Sequence, residues 1–493
     1  MEIKFDQTSC RCLKKLTNQV QQKELTQEVR LPEAMPDIGR ILGCWGQVIL
    51  RGKEWRGGAM GGHGGVMARV LYAPEDGSRP RSVEAWVPFH MKWDLPQTQH
   101  DGYICMMPLL KGMDCRGTSA RKIMVRATVG VRAQALENGE QGICMPPELP
   151  GDVQVLKNTY PMDLPREFGE KLFPVEEEWT SPGDGPAMEE ILNFTCLPRI
   201  TEEKIMASRL VFRGKLLLSA LYWGDSGLNR WETEVPFSQY ADLDRDYGAD
   251  ASARILPVLT DGELTLSEGK ILLKAGICAQ FTIFDREMVT VAEDAYSHRR
   301  DLQIHKQQLC LPARLEQRMQ PLTARCAVDG EAARILDVTW VPDHPCKEGD
   351  GILVGGAFQV LYEDRAGSIQ TASARWEEEL SPDWDGAAIP EGYCLPVNFA
   401  GGEVTGNGME LTAEAVLDSA VFAGQGLEMI SAMDLGAESA PDPARPSLIL
   451  RRCTDQGLWT LAKESGSTVE AICLANSLDG EPEDGRMLLI PVI

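Results

Sequence analysis

The sequence predicts a mainly β protein: three repeated antiparallel domains of β-sandwich or partly closed barrel type, followed by a small β-α-α-β unit. Three observations carry this expectation. A hydrophobic run ending in Leu-Tyr, then a polar turn with Gly five residues after the Tyr, occurs at Leu71-Tyr72, Leu221-Tyr222 and Leu361-Tyr362, with glycines at Gly77, Gly227 and Gly367. Alternating stretches rich in β-branched residues, such as Ile123 to Ala133 and Ile271 to Phe284, favour strand over helix. The 47 Gly and 30 Pro punctuate the chain as many short strands joined by turns require.

After each Leu-Tyr turn a second run climbs back, at Ser82 to Phe89, Trp231 to Phe237 and Ile369 to Leu380, as the return strand of a hairpin. The three tyrosines are 150 and 140 residues apart. Other positions keep a similar offset: Ile41-Leu42, Ile191-Leu192 and Ile335-Leu336; Asp152 to Lys157 and Asp301 to Lys306; Lys122-Ile123 and Lys270-Ile271. A period this long means copies of a domain, not a solenoid of small units. The expected division is repeat one at 1–150, repeat two at 151–299, repeat three at 300–433, a linker at 434–446 and a C-terminal unit at 447–493. Tyr72, Tyr222 and Tyr362 are expected to anchor the hairpins in the core, with a role at an interface as the alternative.

Taken in order, residues up to 30 hold an amphipathic pattern (Cys12, Leu13, Leu16, Val20) that reads as one short helix. The glycine-rich run Gly57 to Gly65 lacks the Lys-Ser/Thr and the following helix of a phosphate-cradling loop, so it reads as a mobile hairpin loop. Asp242 to Asp246 begins like a calcium loop, but Tyr247 stands where Gly is required and Ala253 where Glu is required; a solvated acidic turn is expected. Asp434 to Pro446 has no apolar periodicity and reads as the linker. Beyond it, Leu448 to Arg451 reads as a strand, Leu458 to Ala462 as a helix ended by Gly466, Ser467 with Glu470 as a capping box opening a second helix, and Met487 to Pro491 as a closing strand.

A net charge of −24 counts against nucleic-acid binding and against adsorption to an anionic membrane. The N-terminus lacks a secretory signal and no run approaches 18 apolar residues, so a cytoplasmic protein without membrane insertion is expected. The 14 Cys are scattered among hydrophobic runs and are expected to be free; Cys10 and Cys12 lack a second pair at zinc spacing. The six His form no metal-binding pair and no Gly-x-Ser-x-Gly elbow is present. No enzyme, cofactor or metal site is therefore expected, and acidic runs such as Glu176 to Glu178 read as a solvated face.

The C-terminal residues Leu458-Trp459, Ala462-Lys463, Val469-Glu470, Asn476, Gly485 and Ile490-Pro491 resemble a LysM domain. Departures fall at Asp455-Gln456-Gly457 and Asp484, in the two loops through which LysM domains bind the N-acetylglucosamine of peptidoglycan. The repeats resemble the SPOCS domain of spore coat proteins, most clearly at Leu31 to Gly43. SPOCS copies followed by LysM resemble the layout of the clostridial SipL morphogenetic family. That resemblance implies a non-enzymatic scaffold of endospore coat assembly, made in the mother-cell cytoplasm and assembling at the forespore surface. It implies as partners the coat basement-layer ATPase, on which LysM docks, and other coat proteins; the alternative is a peptidoglycan-binding protein of the wall or cortex. The residues assigned to the LysM partner contact on this basis are Asp455, Gln456, Gly457, Leu458, Trp459, Ile472 and Asn476.

Overall fold

The computed structural model describes residues 2–96, 102–183, 185–348, 351–380, 389–423, 426–439, 445–453 and 457–493. It is mainly β, with two helices among the described residues. The first segment contributes β1 (Glu2–Lys4), β2 (Asp6–Arg30), β3 (Ile38–Arg56), β4 (Ala59–Pro74), β5 (Arg81–Asp94), β6 (Tyr103–Ser119) and β7 (Lys122–Met145). The second holds β8 (Val153–Trp179), β9 (Met188–Gly224), β10 (Gly227–Tyr247), β11 (Ser252–Ser267) and β12 (Lys270–Ser297). The third runs from β13 (Arg300–Leu309), β14 (Arg314–Asp329), β15 (Ala332–Pro342) and β16 (Cys346–Glu348) to β17 (Gly351–Asp364) and β18 (Ile369–Leu380). It continues with β19 (Ile389–Pro396), β20 (Gly401–Thr405), β21 (Gly408–Phe422) and β22 (Leu427–Glu438). Last come β23 (Leu448–Arg452), α1 (Gly457–Ser465), α2 (Val469–Asn476) and β24 (Met487–Pro491).

One pairing scheme recurs. A long opening strand pairs with the closing strand, which also pairs with an earlier strand of the same segment, giving β2-β7-β6, β8-β12-β11 and β14-β21-β19, all antiparallel. Between them lies a hairpin sheet: β3-β4-β5, β9-β10 and β15-β17-β18. Each segment buries its own core, around Val70 and Val129, Leu218 and Ile277, and Val360 and Leu411 respectively.

The repeated Leu-Tyr stretch has a physical reason. Gly77, Gly227 and Gly367 all have positive φ (75°, 95° and 79°), which a side chain would strain, so each fixes its hairpin turn. The Tyr72 hydroxyl donates to the Pro36 carbonyl and the Tyr222 hydroxyl to the Pro186 carbonyl, both at 3.1 Å. Tyr72 and Tyr222 are buried; Tyr362 is half-buried against the third core. The neighbouring leucines do something else: Leu71, Leu221 and Leu361 meet Leu42, Leu192 and Leu336 in one buried cluster where the segments join.

Several expectations need correction. Cys12 to Val20 is not helical but part of β2, paired along its length with β7. The glycine run is not a loop: only Gly57 and Gly58 turn, and Gly61 to Gly65 lie inside β4 between β3 and β5. A Cβ at Gly64 would overlap the Ile49 carbonyl oxygen and one at Gly65 the Trp86 ring, so strand packing demands the glycines. Asp242 to Asp246 is the irregular end of β10, where register shifts before Tyr247. Asp434 to Glu438 belong to β22, which pairs with both β1 and β13 in a sheet joining the N-terminus to the third segment; 440–444 lie outside the described residues.

Candidate functional site

The C-terminal unit is a ribbon of β23 and β24, antiparallel, with α1 and α2 between them in sequence. Gly457 (φ 74°) turns the chain into α1, and the Leu458 amide donates to the Glu481 carboxylate at 3.0 Å, which places a negative charge at the helix start. The cap of α2 is Thr468, not Ser467: its hydroxyl accepts from the Ala471 amide at 3.1 Å. Leu458, Leu461, Ala462, Ile472, Leu488 and Ile490 form the core of the unit.

That core also takes in Tyr296 of β12. The Tyr296 hydroxyl donates to the Ser467 carbonyl at 2.9 Å, and its ring meets Trp459 edge-on with centroids 4.9 Å apart. The Trp459 indole N–H donates to Asp294 at 2.8 Å, and the Lys463 ammonium bonds both Asp294 oxygens. Burial pushes the Asp294 carboxyl up, but the bonds from Lys463 and Trp459 outweigh it and hold it below its usual range. Sequence reasoning missed Asp294 and Tyr296, since nothing local marks residues whose partners lie more than 160 positions away.

The residues assigned to the partner contact thus have varied placements. Asp455 and Gln456 lie outside the described residues. Leu458 and Ile472 are core and present no surface for a partner. The half-buried Trp459 faces β12. Asn476 ties α2 to β24, its amide donating to the Leu489 carbonyl at 2.6 Å and accepting from the Leu489 amide at 2.8 Å.

A second constellation lies where the three segments meet. Glu391 is buried and accepts from Lys15, from Asn18 at 3.0 Å and from Gln134 at 3.1 Å. Burial raises its pKa, but Lys15 and the nearby Arg254 outweigh burial and hold it below the usual carboxylate range. Arg254 itself bonds Asp418 at 2.7 Å and lies over the Tyr393 ring, while Arg132 bonds the Pro345 and Gly392 carbonyls. These ions come from all three segments, so their geometry is complete only when the segments are assembled. Beside them runs a cavity of about 590 Å³, lined by Met107, Leu197, Val258, Trp340 and Phe399 among others. Among the described residues no three or more His, Cys, Asp or Glu converge as a metal site. None of the 14 cysteines is in a disulfide, and Cys10 and Cys12 are buried where the segments join. No helix among the described residues is long and apolar enough to cross a membrane.

The second segment supplies the comparison that bears on kind. Residues 187–265 match the family described as SipL, SPOCS domain. They run from the start of β9 nearly to the end of β11 and include the Leu221-Tyr222 hairpin and its turn. No curated protein and no solved structure matches the chain.

Proposed function

We propose that the chain is a non-enzymatic scaffold of bacterial endospore coat assembly, acting in the mother-cell cytoplasm at the forespore surface. Its C-terminal unit, of LysM type, docks on the coat basement-layer ATPase, and the three segments contact other coat proteins. The match of residues 187–265 to the SipL SPOCS domain carries this reading. The pairing scheme repeated in three segments supports it, since similar surfaces on one chain let weak contacts add through effective concentration. The order strand, helix, helix, strand at the C-terminus supports the LysM assignment.

The test is capture of purified ATPase by the full chain and by a chain ending at residue 439, with insoluble peptidoglycan in parallel. The proposal expects the full chain to retain the ATPase and the shortened chain to lose it. Retention by peptidoglycan alone would overturn the proposal in favour of a wall-binding protein.

A further inference from the structure

Fourteen large apolar side chains are exposed among the described residues, and six of them lie between Leu448 and Ile493, in the smallest unit of the chain. Four of the six share one face. Ser447 and Val492 form a hydrogen-bonded pair, as do Cys453 and Arg486, so the residues between them alternate in known phase. Ile449, Leu488 and Ile490 point to the helices, while Leu448, Leu450 and Arg452 of β23 stand beside Pro491, Leu489 and Met487 of β24 on the opposite face. On that face Leu448 is 52 % exposed, Leu450 63 %, Met487 50 % and Leu489 38 %. An apolar patch held together by a rigid ribbon is a recognition surface rather than scattered surface hydrophobicity.

The same phase shows which edge of the ribbon is open. The outward backbone groups of Leu489, midway along β24, are taken by the Asn476 side chain, which blocks the centre of that edge. Among the described residues no such partner meets the outward N–H and C=O groups of Leu448, Leu450 and Arg452, and β23 pairs with β24 alone. A two-stranded ribbon with one unsatisfied edge gains both ladder bonds and packing from a third strand. The charge of that edge narrows the occupant. No carboxylate occurs from Pro446 to Cys453, and Arg452, exposed on the apolar face, has no acidic partner among the described residues, whereas Arg451 on the other face is paired with Glu464 at 2.8 Å.

We infer that the partner of the C-terminal unit binds by adding an extended segment to the free edge of β23. That segment is apolar at alternate positions facing Leu448 and Leu450 and acidic opposite Arg452. The inference rests on the scaffold reading and deepens it: the docking surface is the open edge and outer face of the ribbon, not the residues of α1 and α2 that are core or turned to β12.

Binding of purified basement-layer ATPase to the full chain tests this, with circular dichroism and thermal melting confirming that each variant is folded. Leu450→Glu puts a charge on the apolar face, and Leu448→Pro removes an outward N–H that the ribbon itself does not use. Each is expected to weaken binding about tenfold, or about 1.4 kcal/mol, the order of a single lost ladder bond or apolar contact. Arg452→Glu is expected to weaken binding and Arg452→Lys to change it less than about threefold, while Leu474→Glu, on the exposed side of α2, is expected to leave it unchanged. Wild-type binding that Leu450→Glu and Leu448→Pro leave intact would overturn the edge and leave the scaffold reading standing. A wild-type chain that does not bind the ATPase at all would overturn both. Self-association in sedimentation that Leu450→Glu abolishes would also overturn the inference, because the occupant would then be a second copy.

Discussion

At the scale of single residues, the positions under most constraint are those where the backbone leaves no choice. Gly64 and Gly65 sit mid-strand with Ile49 and Trp86 against them, so Gly64→Ala has no free volume to enter. It is expected to cost about 1–3 kcal/mol of stability, read as a lowered urea midpoint, while Gly77→Ala, with open space but positive φ, is expected to cost less. A midpoint unchanged by Gly64→Ala would mean the strand can shift locally. The glycine run shows why composition misled: Gly-rich sequence reads as loop unless the packing that excludes every Cβ is known. His344 gives a pH prediction. Burial, then the Arg132 charge, pushes its pKa from 6.5 down to about 3 while its ring nitrogen bonds the Gly130 carbonyl. Between those two values the unfolded chain takes up a proton that the folded chain refuses, so stability falls as pH drops from about 6.5 towards 3. Glu391, held low in the fold, adds loss at the acid end of that range as it becomes protonated. The variant His344→Gln is expected to flatten the slope of urea stability between pH 6.5 and 4; a slope equal to wild type would remove His344 as its source.

At the scale of elements, β2 explains both a success and a failure of sequence reading. The strand passes three cores in turn: Cys10 and Cys12 in the junction core, Leu13 in a small cluster with Leu256 and Tyr393, and Leu25 and Val29 in the first segment. A register shift between Lys15 and Thr17 moves its buried face, and the resulting spacing of Cys12, Leu13, Leu16 and Val20 imitates a helix. Stretches that face a single core, such as Ile123 to Ala133 of β7 and Ile271 to Ile283 of β12, keep a plain alternation and were legible. The C-terminal helices were legible too, but the face they bury was not, since Asp294 and Tyr296 are distant in sequence. Asp294→Ala removes two bonds from Lys463 and one from Trp459. The pairs are partly exposed, so a loss of about 1–2 kcal/mol is expected. The measurement is hydrogen exchange over Gly457–Ser465, which should quicken while exchange in β4 and β7 stays as in wild type. Equal rates in the helix would show that the tyrosine contact alone holds the unit in place.

At the scale of the molecule, three independent domains on a string and three segments sharing interior surface make different predictions, and the joining contacts favour the second. Leu71, Leu221 and Leu361 pack together, the buried ions at Glu391 and Arg254 draw on all three segments, and β22 pairs with β1 at the N-terminus as well as with β13 of its own segment. The sequence signalled the three hairpins through Leu-Tyr, because the turn and the tyrosine are set within each hairpin. It did not signal the assembly, because the same leucines look like ordinary core residues until the copies are placed side by side, and β22 looks like a linker until its partners are known. Replacing Leu221, buried at the meeting point, by Ala leaves a cavity shared by all three segments and is expected to cost about 2–5 kcal/mol. Because the cluster is common property, that loss should lower a single cooperative transition, with fluorescence probes placed in each segment melting together in wild type and variant alike. If instead the probes separate and only the second segment melts earlier, the segments fold as independent domains and the central leucines are a contact between finished units. A common transition would mean that a force applied to one segment meets the stability of all three.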